Sequence, residues 1–180
     1  MNKHNSSLKS IHYFFDAFSL KQAIKLLDTL LIAAGSASAW QGRYKGDLEY
    51  FCENITGLID AAFTISEARG SELGCKVKGR RKMESRLLTA YETYCGNNKQ
   101  STPWDYFPRS LSKGEFDNPI KSVRSFVNFQ PSANWKAVVG VLLQSAFETR
   151  AADTPEILSI RLHLHKLLEG SHLILVRSAR

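Results

Sequence analysis

NPIKSVRSFVNFQPSANWKAVVGVLLQSAFETRAADTPEILSIRLHLHKLLEGSHLILVRSAR, residues 118–180, carries three helix starts that decide the fold class. Asn118 precedes Pro119, so the asparagine can cap the first free N–H groups while the proline occupies a position that has no hydrogen bond to lose. Gln130-Pro131-Ser132 breaks the chain, and Ser132-Ala133-Asn134-Trp135 restarts it. Asp153-Thr154-Pro155-Glu156 places a cap, a proline and a first-turn acid together. Ile120, Val123, Phe126 and Val127 form the stripe behind the first start. Trp135, Val138, Val139, Leu142, Ala146 and Phe147 line the second. Val138 to Leu143 is β-branched and contains Gly140, so a buried strand competes there. The length of the pattern, from Ala133 to Arg150, favours helix, and Gly140 would permit a close helix contact. After the third start, Leu158, Leu162, Leu168 and Leu175, with Ile157, Leu164, Leu167 and Ile174, give a helix apolar over much of its circumference.

Upstream the same periodicity recurs. Leu8, Ile11, Phe14, Phe15 and Phe18 share a helical face. Ser19-Leu20-Lys21-Gln22 has capping-box spacing, followed by a stripe of Leu20, Ala23, Ile24, Leu27, Leu30, Leu31 and Ala34. Glycines and small residues from Gly35 to Gly42 weaken helical preference, and a turn is expected there. Leu48, Phe51, Cys52, Ile55, Leu58, Ile59, Ala62 and Phe63 then form a long amphipathic helix beginning near Asp47. Met83, Leu87, Ala90, Tyr91 and Tyr94 predict another, stopping near Cys95-Gly96-Asn97. The reading is an all-α, single-domain helical bundle of about five to seven helices over residues 1–180. The helices after Asp47, Ser132 and Thr154 are expected at its centre. A basic connector lies at 76–86 and a long aromatic connector at 96–117. The latter holds Pro103, Trp104, Tyr106, Phe107 and Phe116, which are expected to fold down as an apolar lid, with base stacking as the competing use.

The chain of 180 residues is long enough to bury a core without metal or disulfide staples. Cys52, Cys75 and Cys95 are odd in number and have no CxxC spacing, so free thiols in a reducing compartment are expected, with Cys52 a buried hydrophobe. The start MNKHNSSLKS has no apolar signal region, and no run approaches the length of a membrane span. A cytoplasmic protein without membrane contact is therefore expected. Twenty-four Lys and Arg against seventeen Asp and Glu give a formal charge of +7, which favours an anionic partner. Six of those cations, Lys76, Lys78, Arg80, Arg81, Lys82 and Arg86, fall in one short run opposed only by Glu84. Such a run can contact phosphates without sequence readout; a solvated connector is the plainer use of it.

Arg161, His165, Glu169 and His172 lie near one stripe of the last helix and could carry chemistry. Glu169 and His172 have an ExxH spacing similar to that of ferritin-like di-iron bundles, which require a second ExxH and further carboxylates. The chain contains no second ExxH, so neither a metal nor another cofactor is expected. In size and helical character the chain also resembles HEPN-domain proteins. That resemblance implies metal-independent ribonuclease chemistry, with an Arg and a His on a late helix acting across a dimer interface. Here Arg161 and His165 are separated by three residues, against four to six in that family's motif. On the residues alone, His165 would be the general base for ribose 2′-OH attack and Arg161 the cation beside the phosphorane. The third use of the stripe is a structural polar seam.

Walker A, GxGxxG, HExxH, GxSxG and DFG motifs are absent, which removes support from nucleotide hydrolysis, dinucleotide chemistry, zincin proteolysis and α/β-hydrolase activity. The leading expectation is a non-enzymatic binding protein that engages nucleic acid, or a nucleoprotein partner, through the basic run. A HEPN-like ribonuclease centred on Arg161 and His165 is the alternative, and a structural subunit of a larger complex or homo-oligomer is the third.

Overall fold

The computed structural model of the chain describes residues 3–36, 45–67, 108–148 and 156–178. The protein is all-α, and the described residues form seven helices and no strand. They are α1 (Lys3–Ala17), α2 (Leu20–Gly35), α3 (Lys45–Glu67), α4 (Lys113–Asp117), α5 (Pro119–Phe129), α6 (Ser132–Phe147) and α7 (Ile157–Ser178). The predicted helix near Met83–Cys95, the basic run at 76–86, the connector residues 96–107 and the Asp153–Pro155 start lie outside the described residues.

Local chemistry sets the ends of several helices. Ser19 caps α2 with both halves of the capping box: its Oγ accepts from the Gln22 N–H at 3.3 Å, and the Ser19 N–H donates to Gln22 Oε1 at 3.0 Å. Asn118 caps α5, accepting from the Ile120 N–H at 3.2 Å, with Pro119 in the first turn. The second start differs from expectation in detail. Pro131, in extended backbone, occupies the cap position of α6 and supplies no side-chain bond; Ser132 is already helical and its hydroxyl donates to Asp60 of α3 at 3.3 Å. Within the aromatic connector, whose sequence has little helical periodicity, 113–117 is a helical turn. Ser112 and Glu115 close a second capping box there.

One hydrophobic cluster joins α1, α2, α3, α5, α6 and α7. Its two organising elements are α3, which lies against α1, α5 and α6, and α7, which lies against α5, α2 and α1. The helix after Ser132 is expected at the centre but flanks it instead. Only Trp135, Val139, Leu142 and Ala146 of α6 are buried, and Val141 is exposed. Trp135 is fully buried, stacked on Phe126 with ring centroids 4.2 Å apart, and its indole N–H donates to the Phe126 carbonyl at 3.2 Å. That bond satisfies the one polar atom a buried indole carries.

The strand alternative for 138–143 is excluded, since those residues lie inside α6. Among the described residues, nothing stands within 4 Å of where a Cβ on Gly140 would lie, so no described helix makes the expected close contact there. Gly170 makes one instead. A Cβ there would overlap the Ser122 hydroxyl and stand 3.2 Å from Ser122 Cβ and 3.5 Å from the Pro119 carbonyl oxygen. The Ser122 hydroxyl is itself held by donation to that carbonyl at 2.7 Å. Gly170→Ala is therefore expected to lower stability by about 2 kcal/mol through overpacking between α5 and α7. Urea unfolding checks this, and adding Ser122→Ala should recover part of the loss by removing the overlapped oxygen.

The last helix is unevenly covered. Every residue from Leu167 to Arg177 is buried, as expected of a central element. Toward its N-terminus, Leu158 and Leu162, expected in the apolar stripe, are exposed instead, because helix packing covers only the side carrying Ile160 and Leu164. The end of the aromatic connector lies over the C-terminal half, where Leu111 and Phe116 pack against Leu173 and Val176. No described helix is long and apolar enough to cross a membrane.

Candidate functional site

On α7 the four polar residues of the stripe face three different parts of the bundle. Arg161 and His165, one turn apart, both meet Asp28 of α2: Arg161 Nε and His165 Nε2 each lie 2.9 Å from the same Asp28 oxygen. Arg161 and Asp28 keep solvent access, whereas the His165 side chain is only 12% exposed. Sequence reasoning missed Asp28, since a lone acid between Leu27 and Thr29 carries no spacing signal. The trio is an interhelical clamp. Chemically it is also an oriented imidazole beside a cation, the two groups that 2′-OH attack requires.

One turn past His165, Glu169 is buried and turned toward the connector. Its carboxylate accepts the backbone N–H of Arg109 at 2.7 Å and that of Ser110 at 2.8 Å. Burial raises its pKa above the usual carboxylate value, and those two N–H groups oppose the shift without cancelling it. His172 lies under α1, its ring edge-on to Phe15 with centroids 5.1 Å apart. Burial lowers its pKa to about 4. Glu169 and His172 thus have separate surroundings, and among the described residues no three His, Cys, Asp or Glu side chains converge as a metal site would need.

The connector is held at further points. Lys166 donates to Glu115 Oε1 at 2.8 Å. Burial alone would raise the Glu115 pKa; Lys166 and Ser112 outweigh it and hold the carboxyl below its ordinary range. Arg177 donates to the carbonyls of Phe116 and Asp117 and stands over the Phe116 ring. These side chains fix 109–117 onto α7. Elsewhere, burial pushes the Cys52 thiol up to about 12, which keeps it protonated and unreactive, as expected of a core cysteine.

The basic residues singled out in the sequence, Lys76, Lys78, Arg80, Arg81, Lys82 and Arg86, all lie outside the described residues. Along the sequence they stand within eleven residues and are opposed there only by Glu84. No family model, curated protein or solved structure matches this chain.

Proposed function

We propose that the chain is a non-enzymatic binding protein that engages nucleic acid, or a nucleoprotein partner, through a basic surface made by Lys76, Lys78, Arg80, Arg81, Lys82 and Arg86. The observation that carries this reading is the clustering of charge. Residues 76–86 hold six Lys and Arg against one Glu, in a chain whose formal net charge is +7. A basic protein that merely needs solubility can spread its charge; concentrating it in one stretch creates a local field that attracts polyanions. Phosphate contacts made by such a stretch release counterions and give a salt-dependent affinity with no need for base readout.

The clamp on Asp28 supports a structural use of Arg161 and His165, since the one oxygen ties both side chains to α2. It thereby weighs against the ribonuclease alternative. Binding of labelled single-stranded RNA and DNA, followed by fluorescence anisotropy between roughly 50 and 200 mM salt, tests the proposal. The triple variant Arg80→Glu, Arg81→Glu, Lys82→Glu should bind at least about tenfold more weakly and show a salt slope shallower by about two to three. An unchanged slope would overturn the assignment.

A further inference from the structure

Helices α1 and α3 enclose a groove of about 550 Å³, a size within the usual range of ligand sites. Its walls are built by helical spacing. Lys9 and Tyr13, four apart on α1, face Tyr50, Glu53, Asn54 and Gly57 on α3. Tyr13 is 65% exposed and Tyr50 45% exposed, and both line the groove, one from each wall. Tyr50 also leans on Phe18, with centroids 5.6 Å apart, so the aromatic surface is backed by the core. Gly57 leaves the far wall open, with no atom of the described residues within 4 Å of where a Cβ would stand. No ion pair among the described residues takes up Lys9 or Glu53. The groove therefore presents two exposed tyrosines, with an available cation on one wall and an available hydrogen-bond acceptor on the other.

We propose that this groove holds an unpaired nucleobase together with its phosphate. The base stacks on Tyr13 and Tyr50, Glu53 accepts from its amino group, and Lys9 meets the phosphate. Aromatic stacking is open only to unpaired bases, and it tolerates any base because each has a π-face. A carboxylate can accept an exocyclic amino hydrogen, which favours amino-bearing bases over uracil and thymine. The inference deepens the nucleic-acid reading above and rests on it: the basic run supplies phosphate affinity, and the groove supplies the preference for single strands. The same base-and-phosphate chemistry is offered by a free nucleotide, so the test carries both sources.

Labelled single-stranded and duplex oligonucleotides are titrated against the full chain and against Tyr13→Ala, Tyr50→Ala, Tyr13→Phe and Arg80→Glu/Arg81→Glu/Lys82→Glu, with adenosine and cytidine monophosphates as competitors. Far-UV circular dichroism confirms that each variant is folded. The expected result is at least about a fivefold loss of single-strand affinity for either alanine variant, little change for duplex, and near-parental binding by Tyr13→Phe, whose ring still stacks. Competition by the monophosphates at low concentration, lost in the alanine variants, assigns the groove to free nucleotide; its absence, with oligonucleotide sensitivity retained, assigns it to single strands. Parental chain that binds oligonucleotide through the basic run but is indifferent to Tyr13→Ala and Tyr50→Ala overturns the groove alone. Failure of the parental chain to bind any oligonucleotide overturns both readings.

Discussion

Glu169→Ala is expected to lower the unfolding free energy by about 3 kcal/mol, the largest single-residue loss among the polar positions of α7. The carboxylate is buried and accepts two backbone N–H groups, those of Arg109 and Ser110, across a sequence separation of some sixty residues. Alanine removes the acceptor from both part-buried donors, and each donor left unpaired costs about 1–3 kcal/mol. Urea unfolding at pH 7 measures the loss. Glu169→Gln separates charge from hydrogen bonding. One carboxyl oxygen remains as acceptor, but the amide nitrogen now confronts an N–H group, so an intermediate loss of about 1–2 kcal/mol is expected. A loss below a few tenths of a kcal/mol in the alanine variant would show that the connector is held without this residue. Hydrogen exchange at Arg109 and Ser110 gives a second reading: both amides should exchange faster in either variant, while those of α3 fall only with global stability.

Much of this framework was legible in the sequence because caps and stripes are local. Ser19, Asn118 and Pro119 act within a few residues of themselves, and the chemistry that makes them helix starts does not depend on the rest of the bundle. Ser112–Glu115 belonged to the same class but bounded a helix of five residues, too short to show periodicity. What the sequence could not show is which side of a helix finds a neighbour. Leu158 and Leu162 continue the apolar pattern of α7 yet are exposed, and Gly140 and Gly170 look alike as letters although only Gly170 meets another helix. The polar stripe posed the same problem. Spacing placed Arg161, His165, Glu169 and His172 near one another, whereas their partners, Asp28, the Arg109–Ser110 backbone and Phe15, lie far away in sequence.

Acid is expected to destabilise the protein through His172, and the sign follows from its environment. Burial lowers the pKa of this imidazole from its ordinary 6.5 to about 4 in the folded chain. The unfolded chain therefore takes up a proton first. Above pH 6.5 both states hold a neutral imidazole and stability is unaffected by this group. As pH falls from 6.5 toward 4 the unfolded state is progressively favoured, by a total of about 3 kcal/mol. Two carboxyls modulate the same range. Glu169, with its pKa raised by burial, contributes stability that is full below its ordinary value and lost as pH rises through the folded one, so it opposes His172 on acidification. Glu115, held low by Lys166 and Ser112, adds a loss that sets in only below its ordinary value of 4.5. Urea unfolding at half-unit steps from pH 7.5 to 4 should therefore show a decline between 6.5 and 4.5 in the parental chain. The decline should steepen in Glu169→Gln, where the opposing carboxyl is gone, and flatten in His172→Leu. An equal slope in the parental and His172→Leu chains would mean that the acid sensitivity resides elsewhere. The expected result ties the α1–α7 contact to pH, because the imidazole that must stay neutral is the one packed edge-on against Phe15.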